Sequence, residues 1–278
     1  MLPFVLLTLL AILPGSPLLV LSVLAVLLLI RERRWQWLWR LVRHVRSFRT
    51  MRGGQIVLHY APELSTLLNL PGLLQRCQVE LDRMTDIFGS PLRGKATVYL
   101  FANHRDIATI FGAHFGGAAL IFANSIAIAD SRDILESIRH EFAHLFSARW
   151  NRSAPPLLEE GLSIWLQETT WGQPIDRAVL PMLGNRSLKL PLLLKSKFFF
   201  AELHLHSCYV LAGSFTGFII RRHGWDLYRK FFRICDGRRS RAKFKKCFGV
   251  TLEKAEWQWR NEITVTEVLN RRLKSRVQ

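Results

Sequence analysis

The chain is 278 residues long, with 49% hydrophobic and 22% charged side chains and a formal charge of +18. That composition excludes disorder, collagen-like sequence and a long coiled coil, and the length suits one well-cored domain or two small ones. The charge is uneven: residues 31–52 hold eight Arg against one Glu, residues 53–220 hold 14 basic and 14 acidic side chains, and residues 221–247 hold eleven basic against two acidic.

Residues 1–30 carry no charged side chain, and Leu2 to Ile30 exceeds the roughly 20 residues that span a bilayer. Pro14, Gly15 and Pro17 fall near the middle, where a helix in lipid tolerates a kink; a re-entrant hairpin is the alternative to a single span. No basic stretch precedes the apolar run and no small-x-small site follows it, so a retained transmembrane anchor fits better than a cleaved signal peptide. All the nearby positive side chains, Arg31 to Arg52, follow the run. The positive-inside rule therefore predicts a single-pass protein of the cell membrane with its main domain in the cytoplasm.

Residues 31–54 form a basic aromatic juxtamembrane segment. Trp35, Leu38, Val42 and Val45 recur at helical spacing with Trp37 and Trp39 close by, a pattern for a helix along anionic headgroups or a plain basic linker. Residues 55–270 read as one α+β domain, a small sheet followed by a mostly helical part, and 271–278 as a basic tail. Gln55 to Tyr60 and Ala96 to Phe101 are β-rich, with a helix expected between them from about Gly72 to Ile87. Asp106 to Phe111 is a short helix, followed by a glycine-rich turn at Gly112, Gly116 and Gly117. Ala118 to Ala129 reads as two extended pieces broken at Asn124. From Ser131 the pattern is helical apart from a loop near 172–200. Cys77, Cys208, Cys235 and Cys247 form no CxxC pair and are expected as free thiols.

The chemistry concentrates in Ser131 to Asn151. Ser131 is the expected N-cap, Asp133 a first-turn acid, and Ile134, Leu135, Ile138, Phe142 and Leu145 the buried face. Within it lies His140-Glu141-Phe142-Ala143-His144, the HExxH pattern. Four residues are about one helical turn, so both imidazoles leave one face and can bind one metal ion. Glu141, rotated roughly 100° from His140, stands beside the ligands, where it can take a proton from a metal-activated water. A third ligand is needed, and Pro155-Pro156-Leu157-Leu158-Glu159-Glu160-Gly161-Leu162 starts an amphipathic helix carrying two acids. Gly161 is expected to let that helix approach the first, with Glu160 over the histidines and Glu159 the competing ligand. A metzincin site is excluded by Ser147 and Trp150, where Gly and His would be required.

HEFAH followed by LLEEGLSIW resembles the gluzincin zinc peptidases, specifically the peptidase MA-like group, which is distantly similar to the aminopeptidase N and thermolysin catalytic domains. Softer matches follow at Tyr209 to Phe215, Arg222-His223-Gly224 and Phe248 to Glu253. The resemblance implies a zincin-like domain with one Zn2+ per chain on His140, His144 and Glu160, and Glu141 as general base. Tyr209 is implied as a hydrogen-bond donor to the developing oxyanion, with His204 and His206 as alternatives, or as a plain interface tyrosine. Aminopeptidase relatives hold a free amine with an acid in a stretch upstream of HExxH. Here Gly116 to Leu120 carries none, which favours an endopeptidase acting on a peptide or protein substrate. Ala118 to Ala129 is a candidate edge strand for pairing with substrate backbone, or ordinary sheet. The alternative function is a catalytically inactive peptidase-like scaffold or binding protein at the membrane surface, and a third is an electrostatic membrane or nucleic-acid adaptor in which HExxH is accidental. For the basic stretch Arg221 to Lys246, anionic lipid or plain solvation is favoured over nucleic acid, because no recognised nucleic-acid module accompanies it.

Overall fold

The computed structural model describes residues 34–112, 116–131 and 133–274. The apolar segment 1–30 and the last four residues lie outside the described residues. Among the described residues one helical stretch, Glu202–His223, is long and apolar enough to cross a membrane, and it is mostly buried within the fold.

Helix α1 (Arg34–His44) precedes strands β1 (Arg49–Gly53) and β2 (Ile56–Tyr60), which pair antiparallel. β1 falls inside the stretch that the sequence assigns to a juxtamembrane segment; its two arginines and largely exposed side chains hide a strand at the sheet's outer edge. Helix α2 (Leu70–Phe88) then crosses to β3 (Ala96–Phe101). Asn69 caps α2 by accepting from the Gly72 N–H at 3.1 Å, Pro71 sits in its first turn, and Gly89 ends it at φ 69°. These are the expected start and stop signals. Its buried residues, Leu70, Leu73, Cys77, Leu81, Met84 and Phe88, recur every three or four positions.

Helix α3 (His104–Phe111) leads to β4 (Gly117–Leu120) and β5 (Ser125–Ala129), with Asn124 in the left-handed region at φ 46° between them. The sheet order is β1-β2-β3-β5-β4, with β2, β3 and β5 parallel and both edge strands antiparallel. β5 is buried along its whole length because both faces are covered. Ile126 and Ile128 join the main core, while Ala127 and Ala129 join a smaller one with Leu41, Phe101, Ile107 and Ile110 beneath α1 and α3.

The rest is helical: α4 (Ile134–Ser147), α5 (Pro156–Gln167), a two-residue β6–β7 hairpin (Thr169–Thr170 and Gln173–Pro174), then α6 (Leu205–His223), α7 (Trp225–Ile234), α8 (Ser240–Phe248) and α9 (Leu252–Lys274). The expected loop at 172–200 also contains short helical turns at Ile175–Ala178, Leu190–Leu193 and Ser196–Phe199. α4 begins later than its Ser131 cap would place it. Asp133 is the N-cap without a side-chain bond, Glu136 is the first-turn acid, and Ile134 and Leu135 are only partly buried.

Gly161 corrects an expectation. A Cβ there would lie 2.6 Å from Thr216 Oγ1 and 2.8 Å from the Ala212 carbonyl, so the close approach it permits is to α6, not α4. Gly213 does the same from the other side, against Ile164. α9 is fastened by the fully buried Trp259, whose indole donates to Ser214 Oγ at 3.0 Å. The Ser214 hydroxyl donates in turn to Asp176 at 2.6 Å. All four cysteines are free, three of them buried.

Candidate metal centre and its cleft

His140 and His144 stand one turn apart on α4 with Nε2 atoms 3.1 Å apart. α5 returns past them after a turn in which Asn151 donates to the Phe232 and Cys235 carbonyls, and Pro156 opens the new helix. This brings Glu160 Oε2 to 3.3 Å from His140 Nε2 and 3.2 Å from His144 Nε2. One donor atom from each of the three residues lies within 4.8 Å of the others. Glu159 sits on the other side of the His144 ring, 3.7 Å from Nδ1. Of the two adjacent acids, Glu160 is the one facing the Nε2 pair.

The donor set fits a divalent cation. Glu160 Oε2 is buried and its close polar neighbours are the two imidazole nitrogens, so its charge must be answered within the site, by a protonated imidazole or by a metal. Two imidazole nitrogens and one carboxylate oxygen are the donors zinc takes in hydrolytic sites.

The electrostatics agree. Burial works to raise the Glu160 carboxyl, but the charge of His144 and the closeness of both imidazoles hold it down at about 2. Burial works to lower His144, and Glu160, Glu141 and Glu159 outweigh it, taking the imidazole up to about 10. Glu141 is raised by burial, an effect that the two imidazoles oppose. Glu160 and the imidazoles are thus electrostatically coupled, and a cation bound between them would take the place of the His144 proton.

These residues line a cleft of about 530 Å³. One wall is the edge strand β4, where Gly117 lies against Glu141. The opposite wall includes Tyr209, whose ring centroid is 6.0 Å from that of His140. Burial first, then Glu160, Glu141 and Glu159, push the Tyr209 phenol far up, so it stays protonated. His206 also lines the cleft, whereas His204 stacks on Phe198 outside the lining.

Two supports escaped the sequence reading. Arg139, next to His140, donates from Nε to the buried Glu80 at 2.8 Å and reaches Glu168 at 3.3 Å. Arg83 joins the same two acids at 3.4 and 2.5 Å, so the network ties α2 to α4 and to the end of α5. Glu136, one turn before His140, accepts from Gln167, Thr169 Oγ1 and the backbone N–H groups of Trp171 and Gly172. Its position four residues ahead of His140 was visible; its partners, more than thirty residues downstream, were not.

No family model matches the sequence, and no curated protein matches it. Among solved structures, the chain is similar to a mutant M1 zinc metallopeptidase from Deinococcus radiodurans, with a TM-score of 0.46 and 16% identity over 76% of this chain. The match covers 51% of that chain, so the similarity spans about half its length.

Proposed function

We propose that this protein is a membrane-anchored zinc metallopeptidase, and specifically an endopeptidase. The observation that carries the reading is the buried Glu160 Oε2 set 3.3 and 3.2 Å from the Nε2 atoms of His140 and His144. These three residues would hold one zinc ion. When bound, zinc supplies Lewis acidity to a peptide carbonyl and acidifies a water enough for attack near neutral pH.

The chain's own groups do the rest. One carboxylate oxygen of Glu141 takes the proton of the attacking water and then donates it to the leaving amine. Tyr209 donates its phenolic proton as a hydrogen bond to the developing oxyanion; burial keeps that proton in place. β4 is an edge strand beside Glu141, and an edge strand suits an extended peptide laid along it. Residues 117–120 carry no acid to capture a free amine, which supports cleavage within a chain.

The apolar stretch 1–30 supports a single span, and the arginines after it support a cytoplasmic domain. α1 exposes Trp39 and Val42 beside Arg40 and Arg43, which suits anionic headgroups. The test is zinc per chain in the purified full-length protein, with His144→Ala as control. About one zinc, lost in the control, supports the site. A folded, unchelated protein without zinc removes the peptidase reading and leaves a scaffold.

A further inference from the structure

The β6–β7 hairpin turns through Trp171 and Gly172, with φ 53° and 70°. Positive φ at both central residues marks a primed hairpin turn, whose first position belongs to Asn, Asp or Gly. A bulky aromatic there is out of place, and Glu168 three residues earlier is also left-handed at φ 74°. The strain is held by one carboxylate: Glu136 accepts from Thr169 Oγ1 at 2.6 Å, Gly172 N at 3.1 Å and Trp171 N at 3.2 Å. Glu136 belongs to the metal-binding face of α4, one turn before His140. The hairpin tip is therefore fixed relative to the donor set.

This arrangement presents an indole that is 56% exposed at the wall of the cleft, with its ring 6.1 Å from that of His206. Leu205, Val210 and Ile164 line the same cleft. Next to the indole, the Gln167 amide is taken up by the Thr169 carbonyl and by Glu136. Strained residues at a cleft point to a role there. We infer that Trp171 is a specificity-determining residue, forming with His206 an aromatic subsite that selects a large apolar, preferably aromatic, side chain of the substrate. The inference rests on the peptidase reading and names its substrate class.

The experiment uses zinc-loaded full-length protein and two N-blocked peptide hydroxamates differing in one side chain, benzyl or methyl. Affinities are measured by calorimetry for wild type, Trp171→Asn and Trp171→Phe. Wild type binds the benzyl probe more tightly, by tenfold or more, the order expected when several apolar carbons enter a pocket. Trp171→Asn, which suits the turn better, melts no lower than wild type yet loses about tenfold of that preference; Trp171→Phe keeps most of it. An unchanged preference in a folded Trp171→Asn protein overturns the inference and leaves the peptidase reading standing. Failure of both probes to bind the zinc-loaded wild type overturns both.

Discussion

Gly117 and Glu141 are in such close contact that a Cβ at 117 would lie 2.7 Å from Oε1 and 3.1 Å from the carboxylate carbon. The edge strand and the proposed base are thus positioned against each other directly. Any side chain at 117 must displace one of them.

Gly117→Ala is expected to lower turnover by about 10²-fold, the scale of a misplacement near 1 Å, with zinc content unchanged. Gly116→Ala is the control, since among the described residues its Cβ would meet only His104, at 3.8 Å. Equal activities for the two variants would mean that the contact is incidental.

Glu141→Gln keeps the shape and removes the base. Turnover should fall by about 10²–10⁴-fold, while bound zinc stays at the wild-type level. For Tyr209→Phe, kcat should drop by about 10²-fold with KM little changed, as when one oxyanion donor is lost. Unaltered kcat would return Tyr209 to a packing role.

Chelation should reduce stability, because three ligand groups lose their common partner. With free zinc at about 100 times Kd, binding contributes about 2.7 kcal/mol. Melting with and without chelator should differ in wild type and coincide in His144→Ala.

Arg139→Ala removes the guanidinium that meets Glu80, a side chain only 7% exposed. Breaking a buried pair costs about 3–5 kcal/mol, and the remaining Arg83 contact places the loss near the lower end. Urea unfolding measures it. A loss below about 1 kcal/mol would show that the network behaves as a surface one.

Burial pushes the Cys77 thiol up to about 12 and Cys208 up to about 11, and raises Cys235. A raised thiol pKa depletes the thiolate, the reactive form. At pH 8 a disulfide reagent should therefore modify the half-buried Cys247 first, and the other three only after denaturation. Rapid modification of Cys77 in folded protein would contradict its placement.

The juxtaposition of His140 and His144 was legible because HExxH is a statement about helical period: four residues return a side chain to the same face. Glu160 was legible because two prolines announce a second helix at a suitable distance. Gly161 illustrates the limit. A glycine announces that something comes close, but not what, and its partner on α6 lies some fifty residues away. β1 was missed because RTMRG reads as charge, and a five-residue edge strand buries too little to show alternation. The β6–β7 hairpin was missed because two-residue strands have no period to detect. Between Ile56 and Phe111 the strands β2 and β3 and the helices α2 and α3 were legible because alternation, capping by Asn69 and the stop at Gly89 agree with one another, whereas the single turn Leu64–Leu67 was too short to show a period.

The character of α6 has a consequence for synthesis. To machinery that sorts nascent segments by hydropathy, Glu202–His223 would pass as a second candidate for lipid. Its apolar surface is covered by packing: Gly161 and Gly213 shape α5 and α6 for mutual contact. A substitution that roughens this seam would thus do more than loosen the core. It would uncover an apolar helix of membrane-spanning length, and the damage would surface as aggregation as well as reduced stability.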